Sequence, residues 1–258
     1  MCTLTAVRLG RWDTGEFRVV VNRDEQRTRA AALPPIVRRC AGMEAILPID
    51  PGSGGTWIAA NSAGVVLALL NATPIGGLLR RQHQESRGVI VPSILGCTSA
   101  GEAVRRALEV DPTRFPAFRL VAIDAESIGV VASDGTESHV QTMREFRDPF
   151  MATSSSLGDH VVEWPRRELF VELVRSTADH AAAQDVFHEH RWGDRAHVSV
   201  RMSRRDARTV SRTAVEVLAG TISMNYRSLE DDGCEQPRLL DACSNDRHAS
   251  VATARVRA

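Results

Sequence analysis

Cys2, which directly follows Met1, is the residue of this chain best suited to chemistry. Removal of Met1 would leave Cys2 with both a thiol and a free α-amino group, whose ordinary pKa values are about 8.5 and about 7.7–8.0. One residue would then supply a nucleophile and a base of matched strength, so that the amine takes the thiol proton as the sulfur attacks a carbonyl carbon. The alternative is that Met1 stays attached and Cys2 is a small residue of a strand.

A second polar cluster, Asn22-Arg23-Asp24-Glu25, ends the apolar run FRVVV. The segments CTLTAVRLG and FRVVVN, joined by the turn WDTGE, predict a hairpin that returns this cluster to the side of Cys2. Arg23 beside the sulfur would favour the thiolate, and Asp24 could bond and orient the α-ammonium group. The alternative is a solvated turn whose charges have no chemical role.

The remaining elements are predicted as further hairpins separated by helices. A long loop with Pro34, Pro35 and DPGSGG precedes a second hairpin, TWIAA and VVLALLN. A capping box at Ser99 and Glu102 predicts a helix start. Further strands are predicted in AFRLVAID, SIGVVAS, TESHVQTM, AHVSVRM, TVSRTAVEVL and TISMNYRSL, and further helices in WPRRELFVELVRST and AAAQDVFHEH.

This order of elements predicts a four-layer fold. Hairpins make antiparallel sheet, and the almost wholly apolar strand VVLALL indicates cover on both faces. Two stacked antiparallel sheets with helices outside satisfy both conditions. We therefore predict an α/β (α+β) αββα sandwich formed by residues 1–229. Residues 230–258 are polar and without periodicity, so we expect a mobile C-terminal tail.

Four segments, MCTLTAV, NRDE, GGTWIAANSAGVVLALLN and DARTVSRTAVEV, occur in that order. Together they resemble the NRDE family, which includes transport and Golgi organisation protein 2, over most of residues 1–228. The resemblance implies the N-terminal nucleophile (Ntn) hydrolase fold. The enzymes to which it is similar, bile salt (cholylglycine) hydrolases and penicillin V acylases, also begin Met-Cys and cleave amide bonds.

One departure from those acylases concerns the acid beside the amine. The acylases place an arginine and an aspartate three residues apart, whereas Arg23 and Asp24 are adjacent here and Asn22 and Glu25 are three apart. The acid that contacts the amine therefore stays open at this point.

The resemblance also implies roles for residues farther along the chain. Asn71 matches an asparagine whose amide donates to the oxyanion of the tetrahedral intermediate; the alternative is a strand end with local turn bonds. Ser154 and Ser155 stand where the acylases have a second asparagine, and a hydroxyl can also donate. Arg208 matches an arginine that faces the nucleophile and would hold a substrate anion; the alternative is plain turn charge in an arginine-rich hairpin.

Composition narrows the remaining classes of function. Thirty-two basic residues balance 32 acidic ones, so charge gives no case for a nucleic-acid partner. No apolar run of about 18 residues predicts a transmembrane helix, and charges interrupt the N-terminus too early for a signal peptide, so we predict a cytoplasmic protein. The five cysteines lack metal-type spacing, and an odd count argues against a disulfide framework. His188 and His190 are predicted to be surface residues rather than metal ligands.

Two functions fit these observations. The first is hydrolysis of a linear amide bond by Cys2, with no cofactor and with a small molecule carrying an acyl or carboxylate group as substrate. The second is a non-catalytic carrier that binds haem or another amphipathic anion in the same pocket, which the resemblance suggests because eukaryotic relatives are implicated in haem mobilisation. An intact Met1 would favour the carrier, because it blocks the amine base.

Overall fold

Thirteen strands form two antiparallel sheets in the computed structural model, which describes residues 2–73, 85–229 and 251–257. The strands of the six-stranded sheet, in spatial order, are β10 (Phe150–Thr153), β1 (Cys2–Arg8), β2 (Phe17–Gln26), β11 (Ala207–Leu218), β12 (Thr221–Ser228) and β13 (Val251–Arg257). The strands of the seven-stranded sheet are β3 (Leu33–Cys40), β4 (Met43–Ile49), β5 (Ile58–Asn61), β6 (Val66–Asn71), β7 (Phe118–Ile123), β8 (Ser127–Ser133) and β9 (Ser138–Glu145).

Helices cover the outer face of each sheet. Helices α1 (Ile90–Ile94) and α2 (Ala100–Leu108) pack on the seven-stranded sheet. Helix α3 (Asp159–Phe170), which continues as a π-turn over Val171–Arg175, and α4 (His180–Glu189) pack on the six-stranded sheet. The predicted four-layer αββα sandwich is therefore confirmed.

The period of two along each inner strand separates the two sides of the sheet. In β1, Cys2, Leu4 and Ala6 face the other sheet and join the largest buried apolar cluster. Val7, on the opposite face, packs with apolar residues of α3 and α4. This alternation places Cys2 at the edge of the core between the sheets, and therefore at a buried position.

The segment predicted as a long loop contains strands β3 and β4, which corrects that prediction. Pro34 and Pro35 lie at the beginning of β3, and the pairing with β4 shifts register between Leu33 and Ile36. β3 is the edge strand of its sheet, and an edge strand tolerates proline because its outer N–H groups need no partner in the sheet. The prolines therefore mark an edge rather than a loop.

The predicted strand AHVSVRM is also wrong, because residues 196–202 form turns and bends. Val198 and Val200 are buried although the segment pairs with no sheet. Its carbonyls bond side chains instead: those of Val198 and Ser199 accept from Arg166. The alternating apolar pattern here reflects packing beneath α3, not strand pairing.

The C-terminal segment corrects the predicted tail at residues 251–257. These residues form β13, which pairs antiparallel with β12 from Thr221↔Arg257 to Arg227↔Val251. The sequence VATARVR carries β-branched residues suited to an edge strand, and Ala254 packs against the core between the sheets. Residues 230–250, the rest of the predicted tail, lie outside the described residues.

Helix α3 begins earlier than the sequence predicts. It starts at Asp159, so Pro165 lies inside the helix rather than near its first turn. Asp159 accepts a hydrogen bond from the Ser155 amide at 2.9 Å and pairs with Arg119 at 2.8 Å. These two interactions fix the position at which α3 begins.

Among the helices of the described residues, none is long and apolar enough to span a membrane.

The buried Arg166 joins helix α3 to two strands of the six-stranded sheet and to the 196–202 segment, and it supplies a test of the fold. Its guanidinium donates to the hydroxyls of Thr3 and Thr153 at 2.7 and 2.6 Å and to two carbonyls of the 196–202 segment. We expect Arg166→Ala to lower the free energy of unfolding by about 3 kcal/mol or more, because several buried acceptors lose their donor.

The matched control is Arg167→Ala, which removes an exposed pair with Glu163 and is expected to cost less than about 1 kcal/mol. Urea unfolding of both variants gives the comparison. Equal losses in the two variants would contradict the role of Arg166 in holding the layers together.

Candidate active site

The hairpin of β1 and β2 places Arg23 directly opposite Cys2. The turn that joins the strands contains Gly15, whose φ of 72° is in the left-handed region that glycine tolerates. From this turn, the register runs from Arg8↔Phe17 to Cys2↔Arg23. Directly paired residues of antiparallel strands project to the same face, so the side chains of Cys2 and Arg23 are neighbours, as the sequence predicts.

The backbone nitrogen of Cys2 is held by Ser154, the residue that follows β10 on the other side of β1. It donates to the Ser154 hydroxyl at 3.1 Å, and the Ser154 amide donates to the Cys2 carbonyl at 2.9 Å. With Met1 attached this nitrogen is an amide, and removal of Met1 would convert the same atom into the α-amine. Ser154 therefore contacts the atom that would become the base.

The thiol of Cys2 is protonated in this environment. Burial, the largest effect, raises its pKa, and Asp24 and Glu25 raise it further. The positive charges of the amino terminus and Arg23 act in the opposite direction. Because the balance is a raised pKa, attack by the sulfur requires a base to take its proton as it reacts.

Arg23 is compensated by neighbouring acids. It forms an ion pair with Asp50, approaches Glu25 at 3.7 Å, and lies over the Trp57 ring at 4.3 Å. Arg29 shares the same two acids, at 2.9 Å from Asp50 and 3.6 Å from Glu25. These acids neutralise much of the Arg23 charge, so its effect on the pKa of the Cys2 thiol is reduced.

The tetrapeptide at 22–25 divides between the two faces of β2. Arg23 and Glu25 share the face of Cys2, whereas Asn22 and Asp24 point toward the helix layer. Asn22 is fully buried and its amide donates to the carbonyls of His188 and Val200 at 2.8 and 3.1 Å. The alternative of a solvated turn is therefore excluded for Asn22, which joins β2 to α4.

Asp24 is a buried acid close to the amino terminus. Its carboxylate accepts from the Thr209 hydroxyl at 2.6 Å. Burial raises its pKa, while Arg166, the Thr209 hydrogen bond and the charge of the amino terminus lower it. Which acid would contact the α-amine of Cys2 stays a prediction.

A cavity of about 230 Å³ opens over Cys2 between the two sheets. Asn71, half-buried at the end of β6, forms part of its wall together with Cys2. The walls bring together charged and apolar groups, among them Arg23, Asp24, Glu25, Arg29, Asp50, Trp57, Leu69, Glu85, Arg87 and Pro116. The predicted oxyanion donor and the nucleophile thus line one cavity.

Four predicted site residues lie outside this lining: Asn22 and Ser154, described above, and Ser155 and Arg208. Ser155 begins the turn into α3: its hydroxyl accepts from the Leu157 amide at 3.1 Å and its carbonyl accepts from Thr73 at 3.0 Å. Arg208 pairs in register with Glu25, and its guanidinium donates to the Leu229 carbonyl. The anion-binding role of Arg208 stays a prediction.

His188 is a core residue, which corrects its prediction as a surface histidine. It is 1% exposed, and its Nε2 lies 2.7 Å from the Thr5 hydroxyl. Burial, reinforced by the charges of Arg212, Arg18 and Arg166, lowers its pKa well below the ordinary value. His190 is half-buried, and the described residues contain no cluster of three or more metal-ligating side chains.

Sequence reasoning missed Asp50, Arg29, Arg87 and Arg166. The sequence DPGSGG could have indicated the position of Asp50, because it is typical of a turn that begins with an Asx-type contact. The Asp50 Oδ1 accepts a hydrogen bond from the Gly52 amide at 2.9 Å. The three arginines had none, since each lies far along the chain from Cys2 and the chain has many arginines. Only the folded arrangement shows that they converge.

Two stacked sheets with a cysteine at the beginning of β1 define the class: this is the Ntn hydrolase fold. Solved structures with a similar fold include an N-acylethanolamine-hydrolysing acid amidase ortholog from Caenorhabditis elegans, with a TM-score of 0.54, 11% identity, and coverage of 83% of this chain and 92% of that one. A conjugated bile acid hydrolase from Clostridium perfringens gives a TM-score of 0.51 and 13% identity over 98% and 96% of the two chains.

The chain belongs to the Transport and Golgi organisation 2 family, whose profile matches residues 1–212. The predicted family and its relation to the Ntn hydrolases are therefore confirmed. No curated protein matches the sequence. At such low identity the solved structures establish the fold alone.

The buried neutral His188 predicts a dependence of stability on pH. Its pKa is lower in the folded than in the unfolded chain, so the unfolded chain takes up the proton first as the pH falls below about 6.5. Stability contributed by neutral His188 is complete above that pH and is lost below it, by up to about 1.4 kcal/mol per pH unit.

Urea unfolding at pH 7.5 and 5.5 measures this effect. We expect His188→Gln to reduce the difference between the two pH values, and His139→Gln, at an exposed position of β9, to leave it unchanged. A difference that is the same in wild type and His188→Gln would show that other groups cause it.

Proposed function

We propose that the protein, once Met1 is removed, is an Ntn cysteine amidohydrolase that acts on linear amides. The observation that carries this proposal is the contact of Ser154 with the Cys2 nitrogen at 3.1 Å, beside a cavity that the same cysteine lines. The atom that would become the α-amine already has an oriented polar partner in Ser154, and Asp24 lines the same cavity as Cys2.

The proposed reaction begins with proton transfer inside one residue. The α-amine takes the proton of the Cys2 thiol as a C–S bond forms to the substrate carbonyl, whose oxygen becomes an oxyanion. Collapse of this intermediate breaks the C–N bond, and the Cys2 ammonium returns the proton to the leaving nitrogen. Water then adds to the thioester, the C–S bond breaks, and the acid and the free thiol are released.

The surrounding residues would orient and stabilise these steps. Ser154 would hold the amine as its hydrogen-bond partner, and Asp24 is proposed as its counter-charge. Asn71 is proposed to donate its amide to the oxyanion. Arg23 offsets the charge of Asp24 and Glu25 at the sulfur, which would limit the cost of forming a thiolate.

The size of the cavity supports a small acyl or amine group as ligand. At about 230 Å³ it is below the range of about 300–1,000 Å³ in which proteins bind drug-sized molecules. Haem, the ligand of the carrier alternative, would require a larger space. The carrier function, a cytoplasmic location and the lack of a nucleic-acid partner stay predictions.

The nucleophile assignment predicts the state and reactivity of Cys2. We expect intact-mass spectrometry to show loss of Met1, and iodoacetamide at neutral pH to label Cys2 before the other cysteines, because only Cys2 has an adjacent amine base. Cys97 is an internal reference, since burial raises its pKa to about 11. An intact Met1, or faster labelling of Cys40 or Cys97, would contradict the assignment; reproducible haem binding without amide turnover would favour the carrier.

The oxyanion role of Asn71 predicts a selective loss of turnover. Asn71→Ala is expected to lower kcat about 100- to 1,000-fold with little change in Tm. Asn61→Ala is the contrasting variant: the Asn61 amide donates to the carbonyls of Leu95 and Cys97, so its loss should lower Tm. If Asn71→Ala instead lowers Tm and activity follows the folded fraction, Asn71 is only a strand-end residue.

A further inference from the structure

The cavity over Cys2 contains one arginine whose charge is not matched. Its lining includes three arginines and four acids. Arg23 and Arg29 share Asp50 and Glu25, as described above. The other two acids have partners of their own and are not available to a third arginine.

Those two remaining acids interact away from the centre of the cavity. Asp24 accepts from Thr209 on the helix side of the sheet. Glu85 pairs with Arg114 at 2.8 Å in an exposed ion pair. Among the described residues, Arg87 therefore lines the cavity with no carboxylate at ion-pair distance; its one described hydrogen bond runs from Nη1 to the Ala117 carbonyl at 2.6 Å.

The backbone around Arg87 is held against the cavity wall. The Gly88 carbonyl accepts from the Thr56 amide at 2.9 Å. Gly55 lies so close that a Cβ there would stand 2.4 Å from the Gly88 carbonyl carbon, which no side chain could tolerate without displacing the turn. Gly55 is thus a close packing site that holds the turn carrying Arg87 against the wall of the cavity that Cys2 also lines.

Arg87 is also within electrostatic range of the nucleophile. Burial lowers the pKa of its guanidinium, while Glu25 and, once ionised, the Cys2 thiol raise it. A guanidinium remains charged under these conditions and presents five donors, of which the Ala117 carbonyl engages only one group. The remaining donors form a fork that matches a carboxylate.

We propose that Arg87 binds a carboxylate of the substrate and that the substrates are N-acyl amino acids. This inference rests on the proposed amidohydrolase function and names its substrate class. A carboxylate on Arg87 would pair the one arginine of the described lining that has no acid at ion-pair distance, and would position the adjacent amide carbonyl at Cys2. The role of Arg87 is specificity, not proton transfer.

A pair of probes that differ in one group tests this assignment. N-hexanoylglycine carries the carboxylate, and N-hexanoylethanolamine replaces it with a neutral hydroxymethyl group. We expect wild type to prefer the glycine conjugate. Arg87→Gln should lower its kcat/KM about 10- to 100-fold and change that of the ethanolamine conjugate less than about threefold, as expected for loss of a charged hydrogen bond. Arg87→Lys should retain part of the preference.

The controls separate this inference from the proposed function. Arg167→Gln removes an exposed arginine of α3 that lies outside the cavity lining and should leave the preference unchanged; Tm of each variant verifies folding. Calorimetric binding of both probes to Cys2→Ala gives a readout without turnover. Preferential glycine-conjugate binding that Arg87→Gln abolishes supports the inference even if no amide is cleaved. Cleavage or binding with equal preference in wild type and Arg87→Gln overturns it, while leaving the hydrolase proposal intact.

Discussion

The pairing of β1 between β2 and β10 is the constraint on which the site depends. β2 aligns Arg23 with Cys2, and β10 delivers Ser154 to the Cys2 nitrogen. A shift of one residue in either pairing would turn every β1 side chain to the opposite face. Cys2 would then face the helices instead of the cavity. The apolar residues of β1, buried on both faces, make such a shift costly, so the core itself fixes the geometry of the site.

A second layer of polar contacts supports that pairing from the helix side. Arg166 bonds the hydroxyls of Thr3 on β1 and Thr153 on β10, so α3 holds the two strands together. The Asn22 amide joins β2 to α4. Buried polar groups of this kind are expensive unless they are satisfied, and when satisfied they favour a single arrangement. The strands that carry the site are thus held by directional bonds as well as by apolar packing.

Sequence reasoning reached the fold and the first hairpin because their signals are local. Each of these signals lies within a few consecutive residues, as in the turn at Gly15, the capping box at Ser99 and the apolar run of β6. The segment 196–202 misled because its alternating apolar residues pack beneath a helix, and periodicity cannot distinguish this from strand pairing. Pro34 and Pro35 misled because an edge strand accepts residues that a central strand excludes.

Within the site, sequence reasoning predicted the neighbours of Cys2 that come from the first hairpin or from the family pattern. It missed the site residues that distant segments of the chain contribute. Arg87 and Asp50 meet in the cavity through the approach of Gly88 to Gly55, which no spacing reveals. His188 lies among polar residues near the end of a helix, a pattern typical of the surface, yet the face of α4 that carries it packs on β1. Long-range packing decided both cases.

The burial of Cys2 has a consequence for the order of events during synthesis. Cys2 is 4% exposed in the folded chain, and the strand that closes over its nitrogen contains residues about 150 positions later. At about 5–20 residues per second, a ribosome needs about 8–30 s to reach them. During that interval the N-terminus has no partner from β10 and is accessible to an aminopeptidase. Under the proposed function, removal of Met1 would therefore take place on the nascent chain, before Ser154 bonds the Cys2 nitrogen.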